Sequence, residues 1–221
     1  MIQDSIFKCL RDSKLFQGLS NADIEEIKRS LAIAEKKYSK HENIINQGEL
    51  IKMIGILNRG NAISVKYHLE GTTQILRIYN EGEVFSLDTV NTLLSKSPTT
   101  LISQTDASVV FIPYEQIFEL DEISQEAKKT ILTNGNQILS NEVIRLTYKI
   151  DVLSKRTIRE KILTYLRLIC ERYCSSTVNI GMNQEQFAQY LCVNRSVLSK
   201  ELSRMREAGL IDYRGSQYTV Y

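Results

Sequence analysis

The chain has 221 residues, 43% of them apolar and 24% charged. That balance excludes global disorder, supplies enough apolar surface for a sizeable core, and fits one large domain or two small ones. A net charge of +2 excludes a chain that is basic throughout, but the charge is uneven: from Asp151 onward 11 Lys/Arg stand against 7 Asp/Glu, while the residues before it carry 17 against 19. The basic balance therefore sits at the C-terminal end.

The four cysteines, Cys9, Cys170, Cys174 and Cys192, form no C-x-x-C pair, and the two histidines, His41 and His68, lie far apart. A zinc site is unsupported; reduced, mostly packed thiols of a cytoplasmic protein are expected. No positive flank precedes an apolar core at the N-terminus, so no signal peptide is expected. No apolar run approaches the ~18 residues of a membrane span.

Taken in order, Asp4 to Arg11 reads as a short helix. Ser20 caps a second, with Asp23 at its third position and Ile24, Ile27 and Leu31 on one face. From Ala32 to Pro113 short apolar runs alternate with turn residues: Ile44-Ile45 before Gly48, Met53 to Leu57 before Asn58-Arg59-Gly60-Asn61, Ala62 to Tyr67 before Glu70-Gly71, Gln74 to Tyr79 before Asn80-Glu81-Gly82, then Leu101 to Ser103 and Val109 to Ile112. Short strands at this spacing predict an antiparallel β-roll of the jelly-roll kind. Ile63 to Tyr67 alternates apolar and polar residues, as a half-buried strand does.

Tyr114 to Leu120 reads as a short helix, and a long one runs from Ser124 to Leu153. Its apolar seam of Leu132, Asn136, Leu139, Val143, Leu146, Ile150 and Leu153 steps by 4, 3, 4, 3, 4 and 3 residues. That is the spacing of a two-stranded coiled coil, and a seam Asn fixes register and strand number. Gly135 weakens the helix locally by ~1 kcal/mol against Ala and permits a close approach. Residues 154–157 form a joint. Ile158, Ile162, Tyr165, Leu166 and Ile169 then share a helix face, and Thr177 to Ile180 reads as a strand. The expected organisation is residues 1–123 as a β-roll with flanking helices, 124–153 as a dimerisation helix, and 154–221 as a C-terminal domain. The fold class is α+β.

Asn183 to Tyr213 reads as two short helices and a turn. Asn183 caps the first, with Gln186 at its third position, and Phe187, Ala188 and Leu191 form its inner face. Cys192-Val193-Asn194 is the turn, with Asn194 as the next cap. Val197, Leu198, Leu202 and Met205 hold the second helix down. Arg195, Ser196, Ser199 and Lys200 face outward in its first two turns, where a reading helix presents side chains to base edges; Arg195, beside the helix start, is equally placed for a phosphate. Ser203, Arg204 and Arg206 lie further along and suit phosphates. Ile211 to Tyr213, Arg214-Gly215-Ser216 and Tyr218 to Tyr221 form a hairpin wing.

Gln186, Ala188 and the run Asn194-Arg195-Ser196-Val197-Leu198-Ser199-Lys200-Glu201-Leu202 resemble the DNA-binding motif of the Crp/Fnr family of bacterial transcription regulators. The resemblance extends over essentially the whole chain, with Gly48-Glu49, Gly60 and Gly82-Glu83 at the roll's turns. It implies an N-terminal β-roll, a long dimerisation helix and a winged helix-turn-helix. By its pattern Ser196, Ser199 and Lys200 match base-reading positions, and Arg195 a neighbouring contact. Cys192 departs from it, since many members have Gly there.

The resemblance also implies a homodimeric, sequence-specific regulator on a palindromic operator. Its implied partners are double-stranded DNA, a second copy of the chain and RNA polymerase, with no membrane. The effector cavity it implies is lined by Gly82, Glu83, Val84 and Thr99, with Leu146 and Thr147. Cyclic-nucleotide binders of the family use Gly-Glu for the ribose and Arg-Ser for the phosphate. Glu83 matches the first, but Pro98-Thr99 stands in place of the second, so no guanidinium meets a cyclic phosphate. Cys9 alone precedes Cys170, too few ligands for an iron–sulfur cluster in the N-terminal half. Haem at His41 or His68 is disfavoured, because lone histidines on a roll are mostly turn residues. The expected effector is a small molecule other than these, or none. No catalytic constellation emerges, and two distant histidines argue against a cupin-type metal enzyme. The alternative reading is a ligand-binding signalling module whose C-terminal domain binds a protein partner.

Overall fold

In a computed structural model residues 2–221 are described, with side chains from Ser5 onward. The chain divides into two compact units. One runs to Tyr67 and resumes over Leu76–Asn141; the other comprises His68–Ile75 and Glu142–Tyr221.

The first unit opens with α1 (Ile2–Asp12), a 3-10 turn (Lys14–Phe16) and α2 (Asn21–Ser30). Ser20 and Asp23 form a complete reciprocal capping box on α2, and Ile24 and Ile27 are buried on its inner face. The roll follows as β1 (Ala34–Tyr38), β2 (Asn43–Ile45), β3 (Ile54–Arg59), β4 (Ala62–Tyr67), β5 (Thr73–Tyr79), β6 (Val84–Phe85), β7 (Thr100–Ser103) and β8 (Ala107–Ile112), with α3 (Leu87–Val90) after β6 and α4 (Gln116–Glu119) after β8. The strands make two four-stranded sheets, ordered β1-β8-β3-β6 and β2-β7-β4-β5. The β1–β8, β3–β8, β3–β6, β2–β7 and β4–β7 pairs are antiparallel.

The core between them includes Ile54, Ile56, Leu57, Val109, Val110 and Ile112, with Phe16, Ile24 and Ile27 from the N-terminal helices. Burial of each such side chain contributes roughly 1.5–3 kcal/mol. Gly55 is required by its neighbour: a Cβ there would overlap the Phe85 ring on the paired strand.

Two features depart from the sequence expectation. Strand β1 is not among the expected strands, because its sequence Ala-Glu-Lys-Lys-Tyr is charged and largely exposed; it forms the edge of its sheet beside β8, where charge is tolerated and discourages further pairing. Strand β4 is not half-buried by alternation. Ala62, Ile63, Ser64 and Val65 are all buried, and the Ser64 hydroxyl reaches Thr99 Oγ1 at 2.8 Å. That bond makes a serine tolerable inside.

Helix α5 (Gln125–Ser154) is continuous over 30 residues. Its first turns belong to the first unit: Ala127 and Ile131 join the core, and Asn134 Nδ2 donates to the carbonyls of Leu15 and Gln17 at 3.0 and 2.8 Å. The close approach allowed by Gly135 is made by Tyr114, whose hydroxyl would lie 3.0 Å from a Cβ at that position. Along the expected seam, Val143 is 61% and Ile150 69% exposed, and Leu132, Asn136 and Leu146 are exposed too. Leu153 is half-buried, and Leu139 packs partly on the core. Ile144 and Tyr148 are exposed beside the seam.

In the second unit α6 (Ile158–Tyr173) starts at a Thr157/Glu160 capping box and buries Ile162, Tyr165 and Leu166. It is followed by β9 (Thr177–Asn179), α7 (Gln184–Leu191), α8 (Arg195–Glu207), β10 (Ile211–Arg214) and β11 (Gln217–Val220). The last two strands pair antiparallel across Ser216 and Gly215, whose φ is +61°, and β9 adds to β11. This is the expected wing.

Candidate nucleic-acid interface

The Asn183 side chain accepts from Gln186 N while Gln186 accepts from Asn183 N, so α7 begins at the expected box. Phe187, Ala188 and Leu191 are buried. The helix ends at Cys192, which adopts φ +55° and ψ 49°. That is the left-handed conformation, which costs a non-glycine residue roughly 1–2 kcal/mol.

Leu198, Leu202 and Met205 are completely buried and hold α8 in place. Val197, expected beside them, is instead 43% exposed. Its position on the helix places it beside Lys200 and Arg204 at i, i+3 and i, i+7 rather than on the Leu198–Leu202–Met205 face. Arg195, Ser196, Lys200, Ser203 and Arg204 are exposed and Ser199 is half-buried, so the structure brings all six expected contact residues to the outer side of one helix. Among the described residues Asn194 makes no side-chain cap bond, contrary to expectation. The first turn of α8 also lacks an acidic residue. Its N-terminus thus keeps its positive character beside Arg195, as suits an anion.

Two charged residues of α8 are committed internally. Glu201 accepts from Arg159 Nε on α6 at 2.6 Å and lies 3.8 Å from Arg204. Arg206, expected at a phosphate, instead stacks its guanidinium 3.8 Å from the Tyr213 ring centroid, pairs with Asp212 at 2.8 Å and donates to the Tyr213 carbonyl. It braces the wing. Sequence reasoning missed Arg214, which stands exposed where β10 enters the wing turn. A basic residue beside a glycine turn was its only signal.

Behind α7, Phe187 contacts Tyr165 and Tyr218, and Tyr165 contacts Tyr190, with centroids 5.0–5.7 Å apart. Lys149 of α5 is only 4% exposed; its ammonium lies 3.7 Å from the Tyr190 centroid and donates to the Ile75 carbonyl. Burial, then the neighbouring Arg145, pushes this lysine down from 10.5 to about 7, against a smaller upward pull from Cys192.

In the roll, Gly82 has φ +80° in a tight turn. Glu83 is already engaged: it accepts from Arg77 at 3.0 Å and from Asn80 N at 2.7 Å. Val84 is buried in β6, and Thr99 Oγ1 accepts from Ser64. Leu146 and Thr147 are exposed on α5. A groove of about 1100 Å³ in the same unit as the roll is lined instead by residues of α1, β1 and β3 and, of the expected set, by Gly82. Cys9 lines it too, and burial, then Glu35 and Asp12, raises its thiol to about 12. His41 and His68 are exposed turn residues. All four cysteines are free thiols, and among the described residues no three His, Cys, Asp or Glu side chains gather as a metal site. No helix among the described residues is long and apolar enough to cross a membrane.

The profile of the cyclic nucleotide-binding domain matches residues 35–123, and that of the Crp-like helix-turn-helix domain matches residues 160–221. An antiparallel roll, a long helix and a C-terminal helix-turn-helix together make the CRP-type fold. Electron transport regulator A of Shewanella oneidensis is 22% identical over 192 residues, 84% of this chain and 74% of that protein; transcriptional activator protein anr of Pseudomonas aeruginosa is 22% identical over 217 residues, 96% and 84% respectively. The c-di-GMP responsive global regulator CLP of Xanthomonas campestris shares the fold with a TM-score of 0.73 at 15% identity, over 91% of this chain and 99% of that one. The chain belongs to the Crp/Fnr family: it is a Crp/Fnr-type transcription regulator and not an enzyme.

Proposed function

We propose that the chain acts in the cytoplasm as a homodimer that binds a palindromic operator, each protomer placing α8 in a major groove with half-sites about one helical turn, ~34 Å, apart. The observation that carries this reading is the composition of the outer side of α8: Arg195, Ser196, Ser199 and Lys200 in its first two turns, no carboxylate in the first turn, and the helix anchored by Leu198, Leu202 and Met205. Arg and Lys donate to guanine O6 and N7, and Ser donates or accepts. Ser203, Arg204 and Arg214 supply phosphate contacts that set orientation. The exposed Val143, Leu146 and Ile150 supply the dimer seam.

An effector other than a cyclic nucleotide fits the roll better. Pro98-Thr99 offers no guanidinium, Thr99 is bonded to Ser64, and the Glu83 carboxylate is held by Arg77. Cys9 is the single cysteine before Cys170, too few ligands for an iron–sulfur cluster in the N-terminal half.

The test is a titration of palindromic duplexes, selected from a random pool, at increasing salt. Site-specific binding that weakens steeply with salt is expected, with log K falling by about 0.9 per phosphate neutralised for each tenfold rise in salt. Failure to enrich any sequence at low salt would contradict DNA reading and favour a protein-binding C-terminal domain.

A further inference from the structure

Val197 is an exposed apolar side chain beside the hydroxyls and cations of the outer side of α8. It lies in the first turn of α8, next to Ser196, three residues before Lys200 and seven before Arg204. At 43% exposed it stands apart from Leu198, Leu202 and Met205, the completely buried residues that anchor the helix. Nor can α8 readily turn to bury it, because Glu201, the residue one turn on, is tied to Arg159 of α6 at 2.6 Å. A single exposed valine is ordinary on a protein surface. On this face it is the one apolar group among those aimed at base edges.

We propose that Val197 is a specificity residue that reads a thymine in each half-site by packing against its 5-methyl group. The inference rests on the reading of α8 as the base-reading helix and adds a ligand chemistry to it. Valine has no donor or acceptor, so it recognises neither guanine N7 and O6 nor the amino groups of adenine and cytosine. The one major-groove feature that it favours is the thymine methyl, which apolar side chains contact in this way. Its position narrows the site further. Side chains at i and i+3 on a helix lie ~5–6 Å apart. Successive bases rise ~3.4 Å. The thymine therefore lies within about two base pairs of the base that Lys200 contacts.

The experiment uses the full chain and a palindromic duplex selected from a random pool. Each thymine is replaced in turn by uracil, which removes the methyl and leaves pairing unchanged. The expected result is one symmetric position at which uracil weakens binding about fourfold per half-site, the loss that follows from one buried methyl group. In Val197→Ala the difference between thymine and uracil at that position should fall below twofold, while preference for the base read by Lys200 persists. Because Val197 is exposed, the variant should keep its circular dichroism spectrum and its dimer. If specific binding survives but every uracil substitution costs Val197→Ala as much as the wild-type chain, the assignment is overturned. If no duplex is bound specifically, DNA reading itself fails, and the thymine contact with it.

Discussion

The ammonium of Lys149 stands 3.7 Å from the centroid of the Tyr190 ring, joining the end of the long helix α5 to the first helix of the helix-turn-helix. The contact and the bond to the Ile75 carbonyl favour the charged form, but burial and Arg145, itself paired with Glu142 at 2.5 Å, outweigh them and bring the lysine down to about 7. The unfolded chain keeps its lysine protonated up to the ordinary value of 10.5. Between these values the unfolded state binds more protons, so stability rises with pH across that window, at about 1.4 kcal/mol per unit, and is lowest below pH ~7. Lys149→Met should remove this slope and be relatively most stabilising at pH 6. Urea unfolding at pH 6, 7.5 and 9, followed by circular dichroism, measures it; an unchanged slope in the variant would contradict the assignment.

Cys192 holds a left-handed conformation at the turn between α7 and α8. Cys192→Gly should therefore raise stability by about 1 kcal/mol, and the β-branched Cys192→Val should lower it by at least as much. Thermal unfolding of the three chains decides the point, and equal midpoints would show that the turn carries no such strain.

How much of this was legible in the sequence depended on the range of the interactions. The capping pairs Ser20/Asp23 and Asn183/Gln186 and the strand-turn rhythm of the roll are local patterns, and they were readable. Strand β1 was hidden because an edge strand carries charges, and Ser64 because its partner Thr99 is 35 residues away. In the interface, the outward residues of α8 followed from helical periodicity. Val197 is apolar yet exposed, so apolarity alone misplaces it. Arg206 and Lys149 were illegible as wing brace and buried cation: their partners Tyr213 and Tyr190 are brought together with them only by tertiary packing.

Gly55 faces the Phe85 ring across the β3–β6 pair. Gly55→Ala should force the ring from its place and destabilise the roll by about 1–3 kcal/mol. Chemical denaturation gives the value; a loss under ~0.5 kcal/mol would mean that the ring moves freely.

Val143 and Ile150 present bare apolar surface on α5. Their replacement by Asp should leave the fold intact, since neither is buried in the single chain, but yield monomers that bind an operator at least tenfold more weakly. Sedimentation equilibrium alongside DNA titration measures both effects. A wild-type-like dimer from the double variant would place the interface elsewhere.

The central claim is that α8 reads base identity, and the most direct measurement is a comparison of the sequences selected by the wild-type chain and by Lys200→Ala from the same random duplex pool. The expected result is loss of preference at one symmetric position, worth about 1–3 kcal/mol of discrimination, with the remaining positions still selected. Equal weakening on every sequence, with all preferences retained, would make Lys200 a phosphate contact and contradict the assignment.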